Sequence, residues 1–191
     1  MMKRALLVVD VQKDFCEGGA LAASDTGSLI KPLQCTIEAS RLRKCVIVFT
    51  QDWHPQNHNS FEVNGGKWPI HCVAGSYGAE LTPPLKVLLG ELIVRKGETR
   101  ESDGYSAFES NGLSEQLHSL GVKSVAVSGI ATEYCVRATA LDAIKAGFHV
   151  ALLIDLIRPV DSKLTSGVLS ELSAAGIKLL DSNTWLHNLK S

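Results

Sequence analysis

A chain of 191 residues can bury a substantial core in one unit, and 45% hydrophobic with 20% charged residues is an ordinary globular balance. The formal net charge is −1, with 19 basic residues scattered rather than clustered, so nucleic acid and anionic membrane surfaces are poor partners. No stretch reaches the roughly 18 apolar residues of a membrane span, and MMKRALLVVD meets an acid too soon for a signal peptide, so the expected location is cytoplasmic. The five cysteines (Cys16, Cys35, Cys45, Cys72 and Cys135) form an odd set without C-x-x-C spacing, which argues for free thiols in a reducing compartment.

The first predicted element is a strand over 5–9, an apolar run that ends on Asp10. A helix over 27–43 carries Ile30, Leu33 and Ile37 at helical spacing, with Pro32 in its first turn. CVIVFT gives a second strand over 45–50. The segment 51–84 that follows is rich in Gly, Pro, Asn and His, and a loop of that length is more often functional than idle. It holds Asp52, His54, His58 and His71. A strand over 91–95 places Lys96 at its end, and a helix over 111–120 leads into the apolar strand over 122–128. A helix over 133–146 stops at Gly147, and strand, helix and strand follow over 149–155, 161–175 and 177–180. This alternation predicts an α/β fold: a doubly wound, Rossmann-like parallel β-sheet of about six strands with helices on both faces, in a single domain over 1–191.

The chemistry concentrates at the strand ends. In SGIATEYCVRATALDA, Thr132 reads as a helix N-cap, Glu133 as an acid in the first turn, and Cys135 lies three residues past the cap. A thiolate there faces unpaired backbone N–H groups and the positive end of a helix dipole, which lowers its pKa. The strand C-termini of an open parallel sheet line the ligand crevice, so Asp10, Lys96 and Cys135 are expected to converge. The carboxylate can take the thiol proton and return it to a leaving amine, while the ammonium holds the carboxylate ionised. Asp52 and His54, two residues apart, together with His71, make a three-ligand face suited to Zn(II), Fe(II) or Mn(II). Each residue alone also has a plainer reading, as a packed cysteine, a turn acid, a solvated strand end or a hydrogen-bonded loop histidine. His58 and Cys72 are weaker candidates and stay outside the ligand set.

Five blocks then stand in order: VVDVQKDFCEGGALA, TQDWHPQNHNSF, WPIHCVAGSYGAEL, VRKGE and SGIATEYCVRATALDA. In these the chain resembles the nicotinamidases of the isochorismatase-like cysteine hydrolases, over nearly its whole length to about Ala146. The resemblance implies an amidohydrolase that converts nicotinamide to nicotinate and ammonia through a thioester, with pyrazinamide as a second substrate and a place in NAD salvage. It implies a catalytic triad of Asp10, Lys96 and Cys135, and one divalent transition metal, zinc before iron or manganese, on Asp52, His54 and His71. It further implies a cis peptide before Ala131, an oxyanion hole from the backbone N–H groups of Ala131 and Cys135, and a pyridine ring held by Phe15 and Trp68 with Tyr105 as a further pocket aromatic. Ser60 falls where relatives hold metal-bound water, and Glu62 where some place an extra ligand. Two alternatives remain beside it: another cysteine hydrolase acting on a carbamoyl or ureido compound, and a non-catalytic metal or thiol sensor. The oligomeric state is left open, and a homo-oligomer is compatible with the chain.

Overall fold

Six runs dominated by Val, Ile, Leu and Ala form the strands of the computed structural model, which describes residues 3–109 and 112–189: β1 (Lys3–Val9), β2 (Val46–Asp52), β3 (Leu92–Lys96), β4 (Val122–Ile130), β5 (His149–Arg158) and β6 (Lys178–Leu180). All pair in parallel, in the order β3-β2-β1-β4-β5-β6. The inner strands are buried almost end to end, which is why they read as continuous apolar runs rather than as alternating ones. Successive side chains still point to opposite faces, so Ala5, Leu7 and Val9 join one core and Leu6 and Val8 the other.

Helices α1 (Thr26–Leu42) and α5 (Ser182–Asn188) cover the second core through Leu29, Leu33, Ile37 and Trp185. On the first, α2 (Leu113–Ser119), α3 (Arg137–Lys145) and α4 (Thr165–Ala174) pack Leu113, Leu117, Ala140, Ala143 and Leu172. The strand order reverses between β1 and β4, and there the carboxyl ends of the strands open a crevice. Gly129 makes that meeting close: at φ 111° it leaves no room for a Cβ, which would lie 2.0 Å from the Val9 carbonyl oxygen.

The expected strands are all present, with β1 starting earlier, at Lys3, and β5 running on to Arg158. Pro32 lies inside α1 rather than in its first turn, because the helix already begins at Thr26. The expected start of the second helical segment at Asn111 lies outside the described residues. The segment expected as one helix over 133–146 divides into a wide π-type turn, Thr132–Val136, and α3. The segment expected over 161–175 opens with a short 3-10 turn, Ser162–Leu164, before α4. Helix α5 has no counterpart among the expected elements: its one buried large residue is Trp185, and the Asp181 side chain caps it by accepting the Thr184 N–H at 2.8 Å. Among the described residues no helix is long and apolar enough to cross a membrane.

Candidate active site

Three strand ends bring the acid, the base partner and the thiol together. Asp10 follows β1 with φ at 46°, turning the chain out of the sheet. Its carboxyl is fully buried, and the Thr50 hydroxyl both accepts the Asp10 N–H (3.1 Å) and donates to Oδ1 (2.5 Å). Lys96, the last residue of β3, sends its ammonium to Asp10 Oδ2 at 2.8 Å, to the Gly104 carbonyl at 2.6 Å and to an oxygen of Asp52. The same ammonium lies 3.7 Å from the Cys135 sulfur. Oxygens of Asp10 and Asp52 and the sulfur of Cys135 all fall within 4.8 Å of one another. The Ile130–Ala131 peptide bond just before the thiol-bearing turn is cis, matching the expectation from the resemblance.

Burial governs the charges here. It raises Asp10 to about 6, outweighing the pull of Lys96 in the other direction. Burial also opposes ionisation of Asp52, yet Lys96 and His54 overcome it and hold Asp52 well below the usual carboxylate range. Lys96 would be lowered by burial, but the Asp10 and Asp52 carboxylates push it well above the ordinary ammonium range. The thiol runs against the sequence expectation. Burial drives Cys135 well above the usual thiol range despite the neighbouring ammonium, so the resting group is a thiol rather than a helix-stabilised thiolate.

Two further details of that turn are corrected. Thr132 does not cap a helix: Ala131 occupies the cap position, no side chain bonds there, and the buried Thr132 hydroxyl has no partner among the described residues. Glu133 does not serve its own first turn but reaches across to accept the N–H groups of Val160 (3.2 Å) and Asp161 (2.7 Å), tying the thiol turn to the loop after β5.

Next to the acid and base, Asp52, His54 and His71 offer ligand atoms within 4.8 Å of one another, all three side chains buried. The Nδ1 of His54 meets the Gly97 carbonyl at 3.1 Å, and the Nδ1 of His71 meets the Pro69 carbonyl at 2.8 Å. With its proton on Nδ1 toward the carbonyl, each ring turns Nε2 toward the cluster, where that of His54 lies 3.5 Å from Asp52 Oδ2, and Nε2 could then serve as a metal donor, the usual arrangement behind a ligating imidazole. One carboxylate and two such imidazoles therefore fit a divalent transition metal with open positions. His58 does not belong to the set, since Ser60 Oγ takes one ring nitrogen (2.7 Å) and the Ser102 carbonyl the other (3.0 Å). Glu62 is exposed. The carbonyl of Gly97 comes with a steric demand, because a Cβ there would sit 2.4 Å from the His54 ring at φ 65°. Gly97→Ala is accordingly expected to displace that ring and weaken metal uptake by roughly tenfold or more, read by competition with a chromophoric chelator.

Phe15, Leu21, Asp52, Trp68, His71, Tyr105, Ala131, Tyr134, Cys135 and Val160 line one small, partly open cleft with a cavity volume of about 30 Å³. It thus holds the thiol, two of the expected ligand residues and all three expected aromatics. Trp68 Nε1 donates to the Tyr105 hydroxyl at 3.3 Å. Tyr134, which sequence reasoning passed over, closes the set: it stacks on Tyr105 with centroids 5.8 Å apart and meets Trp68 edge-on at 5.1 Å. Its position directly before Cys135 was the available signal. Thr50 and Gln12 were also passed over, and both were polar residues interrupting or following apolar strand runs.

An isochorismatase domain profile matches residues 4–184. The chain is 36% identical to the nicotinamidase of Escherichia coli K12, across 97% of this chain and 98% of that one. Among solved structures, a pyrazinamidase of Pyrococcus horikoshii in complex with zinc superposes with a TM-score of 0.90 at 41% identity, covering 94% of this chain and 99% of that one. A structure from L. infantum in complex with nicotinate gives a TM-score of 0.84 at 40% identity, covering 95% and 94%.

Proposed function

The chain belongs to the isochorismatase domain family, and on that footing we propose that it is a nicotinamidase, an amidohydrolase that converts nicotinamide to nicotinate and ammonia. The observation that carries this reading is the placing of Asp10, Lys96 and Cys135 beside the Asp52, His54 and His71 cluster in one aromatic cleft. Phe15, Trp68, Tyr105 and Tyr134 give an apolar, aromatic lining suited to the pyridine ring. A divalent metal, zinc first among the candidates, would be held by Asp52, His54 and His71 and would offer an open position to the ring nitrogen.

The chain's own residues carry the chemistry. Cys135 gives its proton to the ionised Asp10 carboxylate as the sulfur attacks the carboxamide carbon. The backbone N–H groups of Ala131 and Cys135 receive the oxyanion. Asp10 returns the proton to the departing amine, ammonia leaves, and a thioester joins Cys135 to the nicotinoyl group. Asp10 then takes a proton from water as it attacks the thioester, and Cys135 recovers its own as nicotinate departs. Lys96 supports the Asp10 carboxylate throughout, and burial of all three groups keeps bulk water from quenching their interaction. The whole chain, 1–191, acts as one domain in this reading, working in the cytoplasm on small molecules in NAD salvage, with no nucleic acid or membrane partner.

Ammonia release from a panel of carboxamides tests it. Nicotinamide and pyrazinamide both place a nitrogen meta to the carboxamide-bearing carbon and should be turned over. Benzamide has the same shape without that nitrogen and should run roughly 10⁴-fold slower or worse, the scale on which a site built for a polar group rejects an analogue lacking it. Equal rates on benzamide would remove the ring anchor and favour a hydrolase of carbamoyl or ureido compounds, while release from none of the panel would leave the sensor reading.

A further inference from the structure

Gln12 lies two residues past Asp10, is fully buried, and spends its side-chain amide on the backbone of a metal-ligand residue. Its Nε2 donates to the Asp52 carbonyl at 2.9 Å and to the Ala79 carbonyl at 2.9 Å, and its Oε1 accepts the Asp52 N–H at 2.9 Å. Topology explains why this is needed. In a parallel ladder a residue's N–H and C=O point to the same side. For Asp52 that side faces β1, whose pairing with β2 ends at Val8 and Phe49. The chain leaves the sheet at Asp10, so no backbone continues alongside Asp52. Both polar groups would be buried without partners, a cost folded chains avoid. The Gln12 amide, which has the donor and acceptor pattern of a peptide unit, stands in for the missing strand. The backbone N–H of Gln12 in turn donates to the Asp10 carbonyl at 2.8 Å, and Gln12 bridges to Leu81, which anchors it.

We propose that Gln12 is a positioning residue for the metal site: its amide replaces the strand partner of Asp52, sets the direction in which the Asp52 carboxylate meets His54 and His71, and fixes that ligand to the turn bearing the catalytic base. This rests on the metal site of the proposed function. Gln51 supplies a close control, since its Nε2 also donates to the Ala79 carbonyl, at 2.9 Å, through a side chain that does not hold the Asp52 backbone.

Zinc affinity of the full chain, measured against a chromophoric chelator, tests the assignment. Gln12→Met should weaken zinc by about 10- to 100-fold, the range for supporting partners of ligands. Gln12→Glu keeps the acceptor for the Asp52 N–H and loses the donations, so it should fall between. Gln51→Met should stay within about twofold of the unaltered chain, by the same standard. In metal-free protein, exchange of the Asp52 amide hydrogen should speed up in the Gln12 variants alone. If Gln12→Met does not fold, Gln12→Glu carries the test. Unaltered zinc affinity in the Gln12 variants would overturn the proposal while leaving the metal site standing, and equal weakening by Gln51→Met would overturn it by assigning the effect to the Ala79 loop. An unaltered chain that binds no zinc would overturn the metal site itself and this assignment with it.

Discussion

Replacing Cys135 with Ala is expected to cut ammonia release from nicotinamide by roughly four orders of magnitude or more, the scale seen when a covalent nucleophile is removed. Among the described residues its sulfur is the only thiol lining the cleft, and the Lys96 ammonium stands 3.7 Å away. The fold should survive, because a single buried sulfur is lost from a small residue and the cavity left is smaller than that of a Leu→Ala change. Nicotinate should still bind the variant, measured by calorimetry, since ring contacts and ligand residues are untouched. A near-normal rate would sink the covalent route, whatever the binding result. The raised thiol adds a second expectation. With Cys135 only 5% exposed and its proton firmly held, a general alkylating reagent should label the exposed Cys35 before it. In the proposed mechanism, reactivity at Cys135 then depends on Asp10 taking the proton at the moment of attack, not on a standing thiolate.

Strand ends were readable from sequence because a parallel strand covered on both faces leaves an unbroken apolar run, and a charged residue closing such a run is costly to bury unless it meets a partner. Asp10 and Lys96 stood out for that reason. Asp52 and His54 stood out through their spacing, and His71 through a loop too long to be idle. What sequence could not supply was the balance of burial against charge. The helix-start pattern around Cys135 suggested a lowered thiol, but that expectation treats the helix end as though it faced water. Once Thr132–Val136 forms a wide turn packed into the core, desolvation dominates. The cap at Thr132 failed for a related reason: a threonine before an acid is a cap only if the first turn is α-helical, and the wide turn moves the cap position to Ala131. Gln12 and Thr50 escaped notice because their role depends on where a neighbouring strand stops, a fact of the sheet rather than of either segment. Tyr134 was hidden by its neighbour, since the chemistry of Cys135 leaves the residue before it looking like framework.

Asp10→Asn should lower kcat by roughly 10²- to 10⁴-fold, the range for a lost general base, and its pH behaviour should identify the cause. The amide keeps the size of the carboxyl but cannot accept the thiol proton. In the unaltered chain the base must be ionised, and burial raises Asp10 to about 6. Below that pH the carboxyl is protonated and the thiol has nowhere to send its proton, so kcat/KM should climb as pH rises through about 6 and level off above it. Asp10→Asn should lose that rising limb along with the rate. Lys96→Met removes the charge that pulls Asp10 downward, so the limb should move to higher pH rather than vanish. A steady-state profile from pH 5 to pH 9 on the three proteins separates these outcomes. An Asp10→Asn protein that retains the same rising limb would place the titrating base elsewhere, and a Lys96→Met profile that coincides with the unaltered one would leave Lys96 as a structural partner of Asp52 with no part in tuning the base.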